Sequence, residues 1–482
     1  MSLRQLRTAG LLALALLMPW ERRAAAYTLL THEQLIDLTW QDSIVPLLLS
    51  HYPGLTPAQL DEARAYAYGG CVIQDIGYYP FGDQSFSNLT HYVRSGDFVV
   101  NLFRNATNAD ELAFAIGALS HYVGDSIGHS QATNLAVPVE FPGLRRKYGP
   151  VVSYAEGETP HVQTEFAFDI AEISRHHMAP LLYLRHIGLK VPVKQLALAY
   201  YQTYGLSGEF SPQRRLFNVR GYRFAVRAFI PRIAYATTLL HRRHEPSEPG
   251  TPEAAEIEKE VAEVATRENW QYYRRRPGIG TYALAGLLFI LPKIGPLKLV
   301  AVKGPTETTD AFYTHSLAMS LAAMRQRLAR FTPPARRRSL TGNASAAGLR
   351  AESALPDAGL RPVTHASNQV AHIRALSLLH PLPNRDLDTG YVVKPGGYSL
   401  TDKTYARLLH RLTRWPDRLI PPGIKRDIQA YYANPNAPIT TKKNPKRWAQ
   451  VQADLATLAK MQTSTEPEPY PTYGDETEEN TQ

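Results

Sequence analysis

The stretch His121-Tyr-Val-Gly-Asp125-Ser-Ile-Gly-His129 places a metal-binding side chain at every fourth position. Because an α-helix has 3.6 residues per turn, this spacing predicts that all three side chains lie along one face of a helix. A second pair at the same spacing, in His161-Val-Gln-Thr-Glu165, predicts two more ligands on another helix. Imidazole and carboxylate groups suit zinc, and five of them exceed what one tetrahedral ion needs. The pattern therefore predicts a site for more than one metal ion.

The N-terminus has the features of a secretory signal peptide over residues 1–26. A basic start and an apolar run too short to span a membrane precede Ala24-Ala25-Ala26, which supplies a cleavage site. Cleavage there would make Tyr27 the first mature residue, five positions before His32. A free terminal amine is a competent metal ligand, because its low pKa of about 7.7–8.0 makes its proton easy to displace. The segment predicts a secreted or periplasmic protein.

Two further candidates lie between these motifs: Asp75 in Ile73-Gln-Asp75-Ile-Gly, and His91 in Ser87-Asn-Leu-Thr-His91. With them, residues 27–170 resemble the zinc-dependent phospholipase C family, which is related to the fungal zinc-dependent single-strand nucleases. Members of this family are mostly helical and bind three zinc ions, in part through the mature N-terminal residue. The resemblance implies nine metal-binding positions. They are Tyr27, His32, Asp75, His91, His121, Asp125, His129, His161 and Glu165.

Two features depart from the family pattern. Tyr27 replaces the usual Trp, which is tolerable because the family uses backbone atoms there. His129 follows Asp125 by four positions rather than six, and the proline that often stands in the gap is missing. A helix that continues through Ser126-Ile127-Gly128 would restore the same face, so His129 remains a candidate ligand.

The resemblance implies phosphodiester hydrolysis by a metal-activated water at two to three zinc ions. Asp75 would be the carboxylate that contacts the nucleophilic water, although Asp83 lies close enough in sequence to be an alternative. The residues around His91 and His121 favour a phospholipase C that contacts the membrane peripherally. A single-strand nuclease or nucleotidase is the alternative, because Tyr78-Tyr79-Pro80-Phe81 could form an apolar wall for lipid or stack on bases. A non-catalytic exported metal-binding protein is a third hypothesis.

Composition narrows the class of protein less than the motifs do. The chain has 482 residues and a formal net charge of +10, but its basic residues are scattered and do not decide between lipid and nucleic acid. Cys71 is the only cysteine, so an intramolecular disulfide is excluded and a buried thiol is expected.

The predicted fold class is mostly α, with a multi-helix phospholipase C/zinc nuclease-like core and an additional helical C-terminal region. Residues 281–302 contain about ten apolar residues without a proline or charge between them, fewer than the roughly 17–25 that a membrane-spanning helix needs. A buried helix is therefore favoured over a lipid-contacting surface. The predicted division is a signal peptide 1–26, a catalytic core 27–244, a linker and helical extension 245–332, a low-complexity linker 333–362, a helical region 363–462 and a disordered acidic tail 463–482.

Overall fold

The computed structural model describes residues 29–78, 82–206, 230–240, 250–274, 282, 285–286, 304–331 and 381–465. Over these ranges the regular structure is helical, with two isolated bridges and no strand. The prediction of a mostly α fold is confirmed. No helix within the described ranges is long and apolar enough to cross a membrane.

Eighteen α-helices, numbered here in chain order, lie in the described part of the chain. The first eleven are α1 Leu29–Thr39, α2 Val45–His51, α3 Pro57–Gly70, α4 Gln84–Tyr92, α5 Ser95–Asn105, α6 Ala109–Gly128, α7 Asn134–Glu140, α8 Pro142–Tyr148, α9 Glu158–Ser174, α10 Leu181–Ile187 and α11 Val193–Tyr204. The others are α12 Ile230–Leu240, α13 Pro252–Arg267, α14 Trp270–Tyr273, α15 Glu307–Phe331, α16 Ser399–Thr413, α17 Pro422–Tyr431 and α18 Pro445–Lys460. Shorter π-helical turns span Trp40–Ile44 and His129–Thr133, and 3-10 turns span Ile73–Gly77, Tyr154–Glu156 and Thr440–Lys443.

Helix α6 is the central element, and almost its whole length is buried. The side chain of Asn108 begins the helix by accepting a hydrogen bond from the Glu111 backbone N–H at 3.0 Å. Every residue from 112 to 126 is buried, as expected for a helix inside a core rather than on a surface.

Helices α3 and α6 approach each other closely because glycines remove side chains from the contact. A Cβ atom at Gly117 would lie 2.2 Å from the Ala67 carbonyl oxygen, and one at Gly70 would lie 2.1 Å from the Phe114 carbonyl oxygen. The contact brings the 3-10 turn after α3, which carries Asp75, next to the metal-binding residues of α6.

Helix α1, which carries His32, is held by polar contacts on two sides. The Thr31 hydroxyl donates to Asp169 Oδ1 in α9 at 2.8 Å, and Arg64 in α3 donates to Asp37 Oδ1 at 2.6 Å. Both pairs are buried, and buried charge-assisted hydrogen bonds of this kind fix orientation. The position of His32 relative to α6 is therefore well defined.

Residues 381–398, which we call the cover segment, lie over the ends of α4, α5 and α6. The Pro383 carbonyl accepts a hydrogen bond from Tyr122 Oη at 2.7 Å, and the Arg385 carbonyl accepts one from Ser95 Oγ at 2.6 Å. Helices α16, α17 and α18 follow it and pack on one another and on the core. A segment far along the chain thus closes the N-terminal helical core.

Several predicted features lie outside the described residues. They are the signal peptide 1–26, Tyr27, residues Tyr79–Phe81, the linker 333–362, most of the apolar stretch Thr281–Val302 and the acidic tail from residue 466. The division of the chain into domains stays a prediction.

Candidate metal centre

Eight of the nine predicted ligands lie together inside the helical core. They form three groups, and within each group the potential ligand atoms lie within 4.8 Å of one another. The groups are His32, His121 and Asp125; Asp75, His91 and His121; and His129, His161 and Glu165. Tyr27, the ninth predicted ligand, lies outside the described residues.

Asp125 stands at the middle of the first two groups. Its Oδ1 lies 3.1 Å from His32 Nε2, and its Oδ2 lies 3.1 Å from His121 Nε2 and 3.3 Å from His91 Nε2. Asp75 Oδ1 lies 3.3 Å from His91 Nε2. One carboxylate therefore faces three imidazoles, and His121 is shared between two groups.

The third group is built from α9 and the turn after α6. Glu165 Oε1 lies 2.9 Å from His161 Nε2 and 3.2 Å from His129 Nε2. The helical course continues past Gly128, because the His129 backbone N–H donates to the Asp125 carbonyl. The spacing of four places His129 beside its partners in the neighbouring group, so α6 and its extension serve all three groups.

The polar atoms of this cluster fit a cation. Within the described residues, both carboxylate oxygens of Asp75, Asp125 and Glu165 are buried and accept no hydrogen bond. His129 Nε2 and both ring nitrogens of His161 are likewise buried without one. Buried polar atoms are normally hydrogen-bonded, and leaving them unsatisfied costs free energy. Nitrogen and oxygen donors in this mixture are those that zinc takes.

Backbone carbonyls orient three of the histidines. The Nδ1 of His91 donates to the Ser87 carbonyl at 2.7 Å. The Nδ1 of His121 donates to the Cys71 carbonyl at 3.0 Å, and the Nδ1 of His129 donates to the Leu387 carbonyl at 2.9 Å. A proton on Nδ1 leaves the Nε2 lone pair facing the cluster. Such outer contacts are what metal-binding histidines usually make.

Charge pairing and burial both shift pKa values in the cluster. Burial alone would raise the pKa of Asp125, but His121 and the other adjacent imidazoles hold it well below its usual range. Burial alone would lower the pKa of His91, but Asp125 and Asp75 raise it well above its usual range. Burial lowers the pKa of His161 to about 4 and raises the pKa of Glu165 to about 8. His91 and Glu165, whose pKa values are raised, would have to release a proton to bind a metal ion.

Aromatic and apolar side chains line one side of the cluster. Tyr78 lies beside His91 with ring centroids 5.4 Å apart, and Tyr154 lies beside His161 at 5.6 Å. Tyr78 and Tyr154 pack with Val162 in a small apolar cluster of their own, which Leu400 from α16 contacts. Tyr78 is the described part of the wall predicted after Asp75.

The cover segment also contributes to this site, which was not predicted from the sequence. Besides the Leu387 carbonyl, Asp388 Oδ1 approaches His129 Nδ1 to 3.6 Å. A signal was present in Asp386-Leu-Asp388-Thr-Gly390, because acidic residues before a glycine are typical of a tight turn. Gly390 has a φ of +74° and donates to the Asp386 carbonyl at 2.8 Å, so this is a turn.

Asp83 and Cys71 lie near the ligands in sequence but outside the three metal groups. Asp83 accepts hydrogen bonds from the Ser85 backbone and hydroxyl at the start of α4 and belongs to none of the three groups. Cys71 is fully buried, and its thiol is also outside the groups. Of the two alternatives, Asp75 rather than Asp83 therefore lies beside the histidines.

The fold and the cluster define a helical protein with a buried, multi-group candidate metal centre. The family model for zinc-dependent phospholipase C matches residues 31–206. This match confirms, for that part of the chain, the resemblance noted from the sequence. All eight described ligand candidates lie within the match, whereas the cover segment lies beyond it. Comparisons with curated proteins and with solved structures found no match.

Proposed function

We propose that this protein is an exported zinc-dependent phosphodiester hydrolase that cleaves phospholipids in the manner of a phospholipase C. The observation that carries the proposal is the convergence of eight predicted ligands, from His32 to Glu165, into three adjoining buried groups. The family match over residues 31–206 supports the same conclusion. Export rests on the signal-like residues 1–26.

The three groups would hold two to three zinc ions. Zinc, when bound, lowers the pKa of water and polarises phosphoryl oxygens. His121 and Asp125 would serve two ions at once, since both stand between His32 and His91. The group of His129, His161 and Glu165 would hold a further ion.

In this proposal the remaining task of the chain is to position water and substrate. Asp75 is fully buried, and both of its oxygens are free of hydrogen bonds within the described residues. It can therefore orient a water molecule and accept its proton. Hydrolysis would add the water oxygen to phosphorus, break the bond from phosphorus to the glycerol oxygen, and deliver a proton to that oxygen. The products would be diacylglycerol and a phosphorylated headgroup.

The choice of a phospholipid rests on the apolar side of the site. Tyr78, Tyr154 and Val162 offer hydrocarbon and ring surface beside the imidazoles, with Leu400 packed against them. Such surface suits the glycerol end of a lipid diester. The same rings could stack on bases, so nucleic acid is the substrate that the experiment must exclude.

The test uses the purified mature chain with phosphatidylcholine in mixed micelles, a soluble chromogenic phosphodiester and single-stranded DNA. We expect diacylglycerol release that a chelator abolishes and zinc restores. Asp75→Asn should lose this activity, while Asp83→Asn, a carboxylate outside the three groups, should keep it.

Two results would contradict the proposal. Cleavage of single-stranded DNA without diacylglycerol release would identify a nuclease. A zinc-loaded protein that hydrolyses none of the three substrates would identify a metal-binding protein without turnover.

A further inference from the structure

We infer that Asp388, in the cover segment, is a positioning residue for the metal group of His129, His161 and Glu165. The inference rests on the proposed zinc centre and extends it to a part of the chain outside the family match at residues 31–206.

Residues 387 and 388 contact His129 from the side opposite to its Nε2. The Nδ1 proton is donated to the Leu387 carbonyl at 2.9 Å, and Asp388 Oδ1 lies 3.6 Å from the same Nδ1. The carbonyl fixes the ring, and a carboxylate close behind a ligating imidazole makes its other nitrogen a stronger donor. Asp388 is 2 % exposed, so its charge acts in a weakly screened environment.

Asp388 is itself held in place by three groups. Its Oδ2 accepts hydrogen bonds from Tyr92 and Tyr398, each at 2.9 Å, and its carbonyl accepts one from Asn134 Nδ2 at 2.7 Å. Tyr92 belongs to α4, Asn134 begins α7 and Tyr398 precedes α16. The two tyrosines therefore fix the side chain of Asp388, and Asn134 fixes its backbone, which is what positioning requires.

The contact also joins two metal groups. The Leu387 backbone N–H donates to the His91 carbonyl at 3.1 Å, while its carbonyl accepts from His129. His91 and His129 belong to different groups, so Leu387, the residue next to Asp388, bridges the two groups.

The test compares Asp388→Asn with Asp386→Asn in the full mature chain. Asp386 is in the same turn and is bonded to the Thr401 hydroxyl and the Thr389 backbone N–H, but not to a histidine. Zinc affinity is measured by competition with a chelator, and the visible spectrum is recorded with Co²⁺ in place of zinc. We expect Asp388→Asn to weaken one ion by about 10- to 100-fold and to alter the cobalt spectrum. Asp386→Asn should do neither.

Equal zinc affinity and an unchanged cobalt spectrum in Asp388→Asn would overturn the inference while leaving the metal centre intact. Equal losses in both variants would also overturn it, because docking of the segment would then be the cause. If Asp388→Asn does not fold, Tyr92→Phe and Tyr398→Phe together release the carboxylate, and an unchanged zinc affinity there is decisive against the inference. A wild-type chain that binds no zinc would refute the proposed function itself.

A different observation supports a second inference, which rests on the proposed phospholipid substrate. Residues 414–419, which we call the Trp415 loop, join α16 to α17, and all six are exposed. Trp415 is 69 % exposed and Leu419 is 46 % exposed. We propose that this loop inserts into the surface of an anionic phospholipid bilayer.

The charge around the loop is complementary to such a surface. Residues 403–426 contain seven Lys or Arg side chains and a single acid, Asp417. The acids that flank this range, Asp402 and Asp427, are buried. Basic side chains around an exposed Trp and Leu are typical of segments that lie in the membrane interface.

Helix α16 connects the loop with the metal centre. It begins beside Tyr398, which bonds Asp388, and its fifteen residues span roughly 22 Å. Near its other end Arg411 donates to Ser85 Oγ at 2.9 Å in α4, the helix that carries His91. A bilayer at the loop would thus lie within about one helix length of the metal ligands.

The test measures binding of the full chain to phosphatidylcholine vesicles with and without phosphatidylserine. Trp415→Ala with Leu419→Ala should bind anionic vesicles about tenfold more weakly or worse, and should hydrolyse the soluble diester as the wild type does. Tyr272→Ala, which removes an aromatic ring that is also 69 % exposed, should bind normally. Added salt should weaken wild-type binding.

Unchanged vesicle binding in the double variant would overturn this second inference. So would a loss of single-stranded DNA binding with vesicle binding intact, because the loop would then be a nucleic-acid surface. Neither result bears on hydrolysis of the soluble diester, which tests the proposed function separately.

Discussion

Replacing His121 by alanine should remove two metal positions, whereas replacing His161 should remove one. His121 belongs to two of the three groups and His161 to a single group. Both side chains are fully buried, so the two variants lose the same atoms from similar surroundings. For three ions that bind independently, we expect about one zinc to remain in His121→Ala and about two in His161→Ala.

The same count sets the loss of stability. A bound ligand at a hundredfold excess over its Kd stabilises a fold by about 2.7 kcal/mol, so losing two ions costs about 5 kcal/mol and losing one costs about 3 kcal/mol. His121 also donates from Nδ1 to the Cys71 carbonyl, whereas both nitrogens of His161 are without a hydrogen bond in the described structure. That bond adds about 0.5–1.5 kcal/mol to the difference.

The assay combines elemental analysis with denaturant unfolding at fixed free zinc, repeated in excess chelator. With the chelator present, only the hydrogen-bond difference of about 1 kcal/mol should separate the two variants. Equal zinc loss in both variants, or a larger loss in His161→Ala, would refute the sharing of His121 between two ions.

Three further predictions concern other parts of the molecule. Asp75→Asn should keep most of its zinc while losing turnover. Zinc content equal to wild type with full activity would contradict the role given to this carboxylate. The control is Asp83→Asn, which should keep its activity. Gly117→Ala would place a Cβ atom 2.2 Å from a carbonyl oxygen of α3 and should destabilise the fold by about 1–3 kcal/mol, as measured by thermal unfolding. The control is Gly143→Ala, whose Cβ would have its nearest atom at 3.9 Å and which should be close to neutral. Burial alone would raise the pKa of Glu172, but its neighbouring histidine and arginine lower it. The ionised Glu172 therefore stabilises the fold above the ordinary carboxyl pKa, and this stabilisation is lost as pH falls through the lowered folded-state pKa. At neutral pH the wild type should be more stable to unfolding than Glu172→Gln by about 1.5–3 kcal/mol, and this difference should disappear in acid. A difference that stays constant down to acid pH would refute this prediction.

Spacing along the chain predicted five of the nine candidate ligands, because helical periodicity is local. His121 and Asp125 are four residues apart and therefore converge, as do His161 and Glu165. Their assignment as zinc ligands stays a prediction. The contact of Asp125 with His32 depends on how α1 packs against α6, which spacing cannot predict. His32 was a candidate ligand because of the resemblance to the zinc-dependent phospholipase C family.

The cover segment could not be predicted in this way. Leu387 and His129 are 258 residues apart in sequence, and no periodicity connects such positions. The outer hydrogen bonds of His91 and His121 end on backbone carbonyls, which every residue possesses, so side-chain identity carries no sign of them. Local chemistry thus indicates ligand types, while the tertiary fold decides what orients them.

The most direct test of the account is the zinc content of the purified mature chain, measured by elemental analysis after removal of loosely bound metal. The three groups around His121, Asp125 and Glu165 predict two to three zinc ions per chain. One ion or none would contradict a polynuclear centre and, with it, the proposed hydrolase.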